Sequence, residues 1–131
     1  MRRTARGIVA FLLLVGLSAA AASARCSVRI GARVALYGST GDPDVLVWET
    51  RFRLAAYQRG SFDVDRTLLS HAHLAAPGTR AVVLRCVSRD VHPKYRGTVG
   101  DAIYIRLLGG PYRRQTGWIM GSDLRTMIGF R

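Results

Sequence analysis

The stretch DAIYIRLLGGPYRRQTGWIMGSDLR, Asp101 to Arg125, decides the fold. Ile103, Ile105 and Leu107 alternate with Tyr104, Arg106 and Leu108, the period of two of a strand with one apolar face. Gly109-Gly110-Pro111 then supplies backbone freedom and a fixed φ, the chemistry of a tight turn. Thr116-Gly117-Trp118-Ile119 resumes an extended pattern, and Gly117 lets the large ring beside it lie against a neighbouring strand. Ser122-Asp123-Leu124 closes the segment as a short turn. The stretch reads as strand, hairpin turn, strand and closing turn, with Ile103, Ile105 and Ile119 in the core.

Working upstream, Ala76-Pro77-Gly78 is a turn, and Thr79 to Ser88 alternates again. Its better core face is Val82, Leu84 and Cys86, because the opposite set contains Arg85. Arg89 to Gly100 is polar, contains Pro93, Gly97 and Gly100, and reads as a long excursion loop.

The order of these pieces resembles bacterial SH3-like domains of exported proteins. The matching residues are Gly78-Thr79, Ala102 to Leu108, Gly110-Pro111-Tyr112, Thr116-Gly117-Trp118-Ile119 and Ser122-Asp123-Leu124, within residues 77–127. The sequence departs from the pattern at Arg113-Arg114, near a turn where the family commonly carries glycine. The resemblance implies a small barrel with a shallow aromatic groove, where extended peptides or cell-wall glycopeptides dock in related domains. Carried onto this sequence, the groove residues are Tyr104, Tyr112 and Trp118, with Arg106, Arg113 and Arg114 around them. The competing role for Trp118 is packing, since a ring of that size dominates burial in a small domain.

Residues 27–74 have no counterpart in that pattern. Ser27 to Tyr37 alternates as a strand, with Gly31 placed to host a bend, and a Gly/Asp/Pro turn cluster follows. Val45 to Glu49 favours extended structure. A helix of about three turns follows and ends near Arg59, before Gly60. The competing reading starts a helix at Pro43, capped by Asp42. Ser61 to Leu74 reads as a short helix or turn that lays its leucines on the core. His71 and His73 would share a face in an extended segment, as a metal pair requires, but no carboxylate or cysteine adjoins them in sequence. They and His92 read as loop histidines, and no metal or other cofactor is expected.

The start of the chain carries Arg2, Arg3 and Arg6, an uncharged apolar run from Ile8 to Leu17, and Ala22-Ser23-Ala24. That order is a secretory signal peptide over residues 1–24, leaving one small domain over 25–131. The apolar run falls short of the roughly 20 residues of a membrane-spanning helix. Export to the periplasm or beyond favours pairing of the two cysteines, Cys26 and Cys86, as a disulfide. Loop-closure entropy puts the stabilisation from a bridge of that span at about 4 kcal/mol.

Formal net charge is +12 over 131 residues, with 20 basic against 8 acidic side chains. Such a balance favours anionic partners, although arginine-rich composition alone also produces it. The basic residues are scattered, and scatter together with export argues against nucleic acid, which needs a charged stripe. No GxSxG, HExxH or cysteine–histidine pairing is present to assemble a catalytic set. The sequence therefore implies a mainly β domain with one or two short helices, built as a small SH3-like barrel. Its expected role is a non-enzymatic binding or structural module of the cell envelope, contacting a peptide, cell-wall or other anionic component. The alternatives are generic binding of polyanions such as anionic lipid, polysaccharide or nucleic acid, and, behind these, a small hydrolase or metal-binding protein.

Overall fold

The structure is a computed structural model and describes residues 25–38, 44–60, 70–93 and 98–127. The signal-peptide reading of residues 1–24 and most of the segment 61–74 lie outside the described residues.

Among the described residues the fold has seven strands, one helix and a 3₁₀ turn. The strands are β1 (Arg33–Leu36), β2 (Val45–Trp48), β3 (Ala72–Ala75), β4 (Arg80–Val91), β5 (Gly100–Leu107), β6 (Thr116–Met120) and β7 (Leu124–Thr126). Helix α1 (Arg51–Gln58) follows β2, and the 3₁₀ turn Gly121–Asp123 joins β6 to β7. One sheet holds all the strands in the order β3-β2-β6-β5-β4-β1-β7. Every pairing is antiparallel, and the sheet curls into a half-barrel. The mainly β architecture expected from the sequence is the one observed.

The central meander β4-β5-β6 forms from local alternation and short connections. Ile103, Ile105, Leu107 and Ile119 are buried on its inner face as expected. Val34, Leu36, Val45, Val47, Ala75, Ala81 and Val83 complete that apolar cluster inside the curl. The outer face is dry only where α1 covers it. Leu54 of the helix packs there with Trp48, Val91, Ala102, Trp118 and Met120. Thr50 caps α1 by accepting the Arg53 N–H at 3.2 Å, and Gly60, at φ +67°, turns the chain away beyond its end.

Four expectations need correction. Strand β1 is shorter than Ser27–Tyr37, because Gly31 adopts φ +83° and turns the chain, leaving Ile30 exposed. Helix α1 is eight residues, nearer two turns than three, although it ends where expected. The competing helix from Pro43 is excluded, since 45–48 is strand. Residues 72–75 are neither helix nor turn; they form β3, because pairing with β2 satisfies their backbone along its full length.

A further correction concerns β4. Its inner face is Ala81 and Val83, both fully buried, and not Val82 and Leu84. The register with β5 shifts between Val83 and Arg85. This bulge changes the phase, so Cys86 joins the inner cluster while Arg85 points outward. A second irregularity between Val87 and Val91, with Arg89 at φ +52°, carries the strand on to a fully buried Val91. The expected loop at 89–100 is therefore strand over its first three residues.

Candidate functional site

Cys26 and Cys86 are joined as a disulfide, with their Cα atoms 6.3 Å apart. Asp101 braces the same corner. It accepts the Ser27 N–H at 2.7 Å and the Arg89 N–H at 3.0 Å. Partial burial pushes its carboxyl up, but hydrogen bonds from the Ser27 and Arg89 backbone, another from the Ser27 side chain, and the Arg89 charge outweigh that. The net effect holds it below the ordinary aspartate value of 3.8. Asp101 lies close enough to both sulfurs to complete a metal-ligand trio on distance alone, but the sulfurs are bonded to each other.

The histidines do not gather. His71 Nδ1 lies 2.7 Å from Glu49 Oε2, a carboxylate from another element that sequence adjacency could not reveal. His73 stacks on Tyr112, with ring centroids 4.6 Å apart and planes at 27°. His92 is exposed after β4.

The outer sheet face carries the clearest chemical pattern. Register places Arg33 of β1 opposite Val82, Val82 opposite Arg106, and Arg106 opposite Thr116, in one row across four strands. The next row runs Arg85, Tyr104, Trp118 and Trp48. Strands sit about 4.8 Å apart, so Arg33 and Arg106, two strands apart, repeat at about 10 Å. None of Arg33, Arg85 or Arg106 has a carboxylate partner among the described residues. Arg51, which closes the row from α1, pairs with Asp90 at 3.3 Å.

The aromatic members are ordered by contacts. Tyr104 and Trp118 lie with centroids 5.0 Å apart, and the Tyr104 hydroxyl donates to Thr116 Oγ1 at 2.8 Å. The Arg85 and Arg51 guanidinium carbons stand 5.8 Å and 5.9 Å from the Trp118 ring centroid. Trp118 is only 9 % exposed, so it packs against its neighbours and can offer a ligand an edge at most.

The remaining sequence-predicted residues lie at the β5–β6 hairpin. Tyr112 is partly exposed and folds onto His73 of β3, away from Tyr104 and Trp118. Arg113 and Arg114 join Arg106, Leu107 and Leu108 around an open depression of about 480 Å³. Arg114 adopts φ +74°, the left-handed conformation for which glycine is the usual residue, and its N–H donates to the Leu107 carbonyl. The departure from glycine noted in the sequence is thus accommodated by an arginine in a glycine conformation.

The structure separates the six candidate residues into two groups. Tyr104, Trp118 and Arg106 share the outer sheet face. Arg113 and Arg114 meet Arg106 from the turn, and Tyr112 belongs to neither. Sequence reasoning missed Arg33 and Arg85. Their signal was position: Arg33 occupies the wet phase of its strand, and Arg85 is the charged break in an otherwise apolar run. Among the described residues no helix is long and apolar enough to cross a membrane. Comparison with protein-family models, with curated proteins and with solved structures returns no match for the chain.

Proposed function

We propose that the chain is an exported, non-enzymatic binding module of the cell envelope, of the SH3-like kind, that holds an anionic component against its outer sheet face. The observation that carries this reading is the pair of rows in which Arg33, Arg85 and Arg106 stand beside Tyr104 without carboxylate partners among the described residues. Surface arginines usually gain from nearby acids. A face that gathers cations and leaves them unneutralised is suited to an incoming anion. The disulfide supports the export half of the reading, since such bridges persist in oxidising compartments.

The second reading is generic polyanion binding, favoured by the high net positive charge. Sedimentation of the protein with isolated cell wall, anionic vesicles and DNA at low and at physiological salt separates the two. The module reading expects one partner to stay bound at physiological salt, and an Arg85→Gln/Arg106→Gln double variant to release it. Parallel loss of all three partners with salt, whichever arginines remain, would leave only generic charge.

A further inference from the structure

We infer that the depression at the root of the β5–β6 hairpin is a discrete site for a phosphate monoester attached to an apolar group. The inference rests on the reading of this face as anion-binding and gives that reading a ligand chemistry. Three of the five described residues lining the depression are arginines: Arg106 from β5, and Arg113 and Arg114 from the turn. The other two are Leu107 and Leu108, and Leu108 is 38 % exposed at the rim. No carboxylate lines the depression among the described residues.

The donor set selects among anions. One guanidinium fork satisfies the two oxygens and single charge of a carboxylate. Three arginines around one depression suit a group with three terminal oxygens and nearly two charges, which is a phosphate monoester at neutral pH. Leu108 at the rim gives an attached hydrocarbon somewhere to lie.

The backbone points the same way. Arg114 holds φ +74° in a turn whose hydrogen bonds, Arg113 N–H to Gly110 and Gln115 N–H to Tyr112, need no arginine side chain. Glycine would form this turn with less strain. An arginine held there adds a second turn arginine to the lining of the depression, and backbone strain of this kind gathers at binding sites.

The test is titration calorimetry of the chain at about 0.15 M salt. The probes are inorganic phosphate, phenyl phosphate, phenyl sulfate, hexanoate and dihexanoyl phosphatidic acid below its micelle concentration. Phenyl phosphate and the short-chain lipid are expected to bind one to one, and more tightly than the sulfate or hexanoate. Arg114→Gly keeps the turn and removes the guanidinium, and it should weaken both by about 10-fold or more. Arg29→Gln, at an exposed arginine outside the depression and outside both rows, should stay within about 2-fold. Tighter binding of the lipid than of phenyl phosphate would identify a lipid headgroup as the source. Equal affinity for inorganic phosphate would overturn the apolar half of the proposal. No saturable binding, or equal weakening by Arg114→Gly and Arg29→Gln, would overturn the site. If cell-wall or vesicle binding persisted in that case, the broader module reading would stand without it.

Discussion

Gly117 sits where β6 passes closest to β2, and adding one methyl there tests how the two halves of the chain are joined. A Cβ at Gly117 would lie 2.5 Å from Val47 Cγ1, 2.8 Å from the Trp48 carbonyl oxygen and 3.4 Å from the Trp48 carbonyl carbon. The Val47 methyl is fully buried and the other two atoms are backbone, so none can rotate away. Strand β2 must shift, and its single bridge to β6, Trp48 opposite Trp118, must shift with it. Overpacking of this kind costs about 1–3 kcal/mol, and the backbone clash puts Gly117→Ala near the top of that range. Reduced freedom of the unfolded chain returns about 0.4–1 kcal/mol. The net loss is about 2–3 kcal/mol, a fall in Tm on the order of 10–20 °C for a domain of this size. Gly100 and Gly109 calibrate the result. A Cβ at Gly100 meets Met120 Cε at 2.5 Å, the far end of a flexible side chain, and one at Gly109 meets nothing within 4 Å. Thermal melts followed by near-ultraviolet circular dichroism, which reports the two tryptophans Trp48 and Trp118, should rank Gly117→Ala far below Gly100→Ala and Gly109→Ala. A Gly117→Ala melt within about 2 °C of the parent would refute the close approach of β2 and β6.

The remaining predictions concern the clasp and the turn. Removing the disulfide by a Cys26→Ala/Cys86→Ala double substitution should lower unfolding free energy by about 4 kcal/mol in urea titrations, and reductant should then have no further effect. The folded-state pKa of Asp101 is depressed, so its contribution is fully present above the ordinary value of 3.8 and is lost as pH falls through the lower folded value. Asp101→Asn should therefore flatten the acid limb of a stability–pH curve, and an unchanged limb would remove Asp101 from the clasp. In the turn, Arg114→Gly should hold or raise Tm while Arg114→Val lowers it by several degrees, because a β-branched side chain resists φ +74°.

The hairpin was legible because its information is local. The alternation from Ile103 to Leu107 and the Gly109-Gly110-Pro111 turn set strand and connection without reference to the rest of the chain. Strand β3 was not legible, because His73 and Leu74 become strand only by pairing with Val47 and Leu46, which lie far back in sequence. The face of β4 was misread for a different reason. Uninterrupted alternation puts Val83 with Arg85, and nothing in the residue types marks the bulge that separates them. The candidate site divides in the same way. Arg106, Tyr104 and Trp118 come from neighbouring strands of the hairpin, whereas Arg33 reaches the same face only through the β1–β4 and β4–β5 registers.

The strand order has a consequence for when this chain can fold. The meander β4-β5-β6 forms the middle of the sheet, and of the three strands that precede it in sequence β1 attaches to β4 and β2 to β6 on opposite flanks, with β3 paired outside β2. Synthesis from the N-terminus therefore delivers β1 and the β2–β3 pair before the meander that joins them has emerged. Val34 must also wait for Thr126, beside which it finally pairs. Non-local pairings of this kind delay folding. Closure of the sheet therefore comes last, when β7 arrives beside β1.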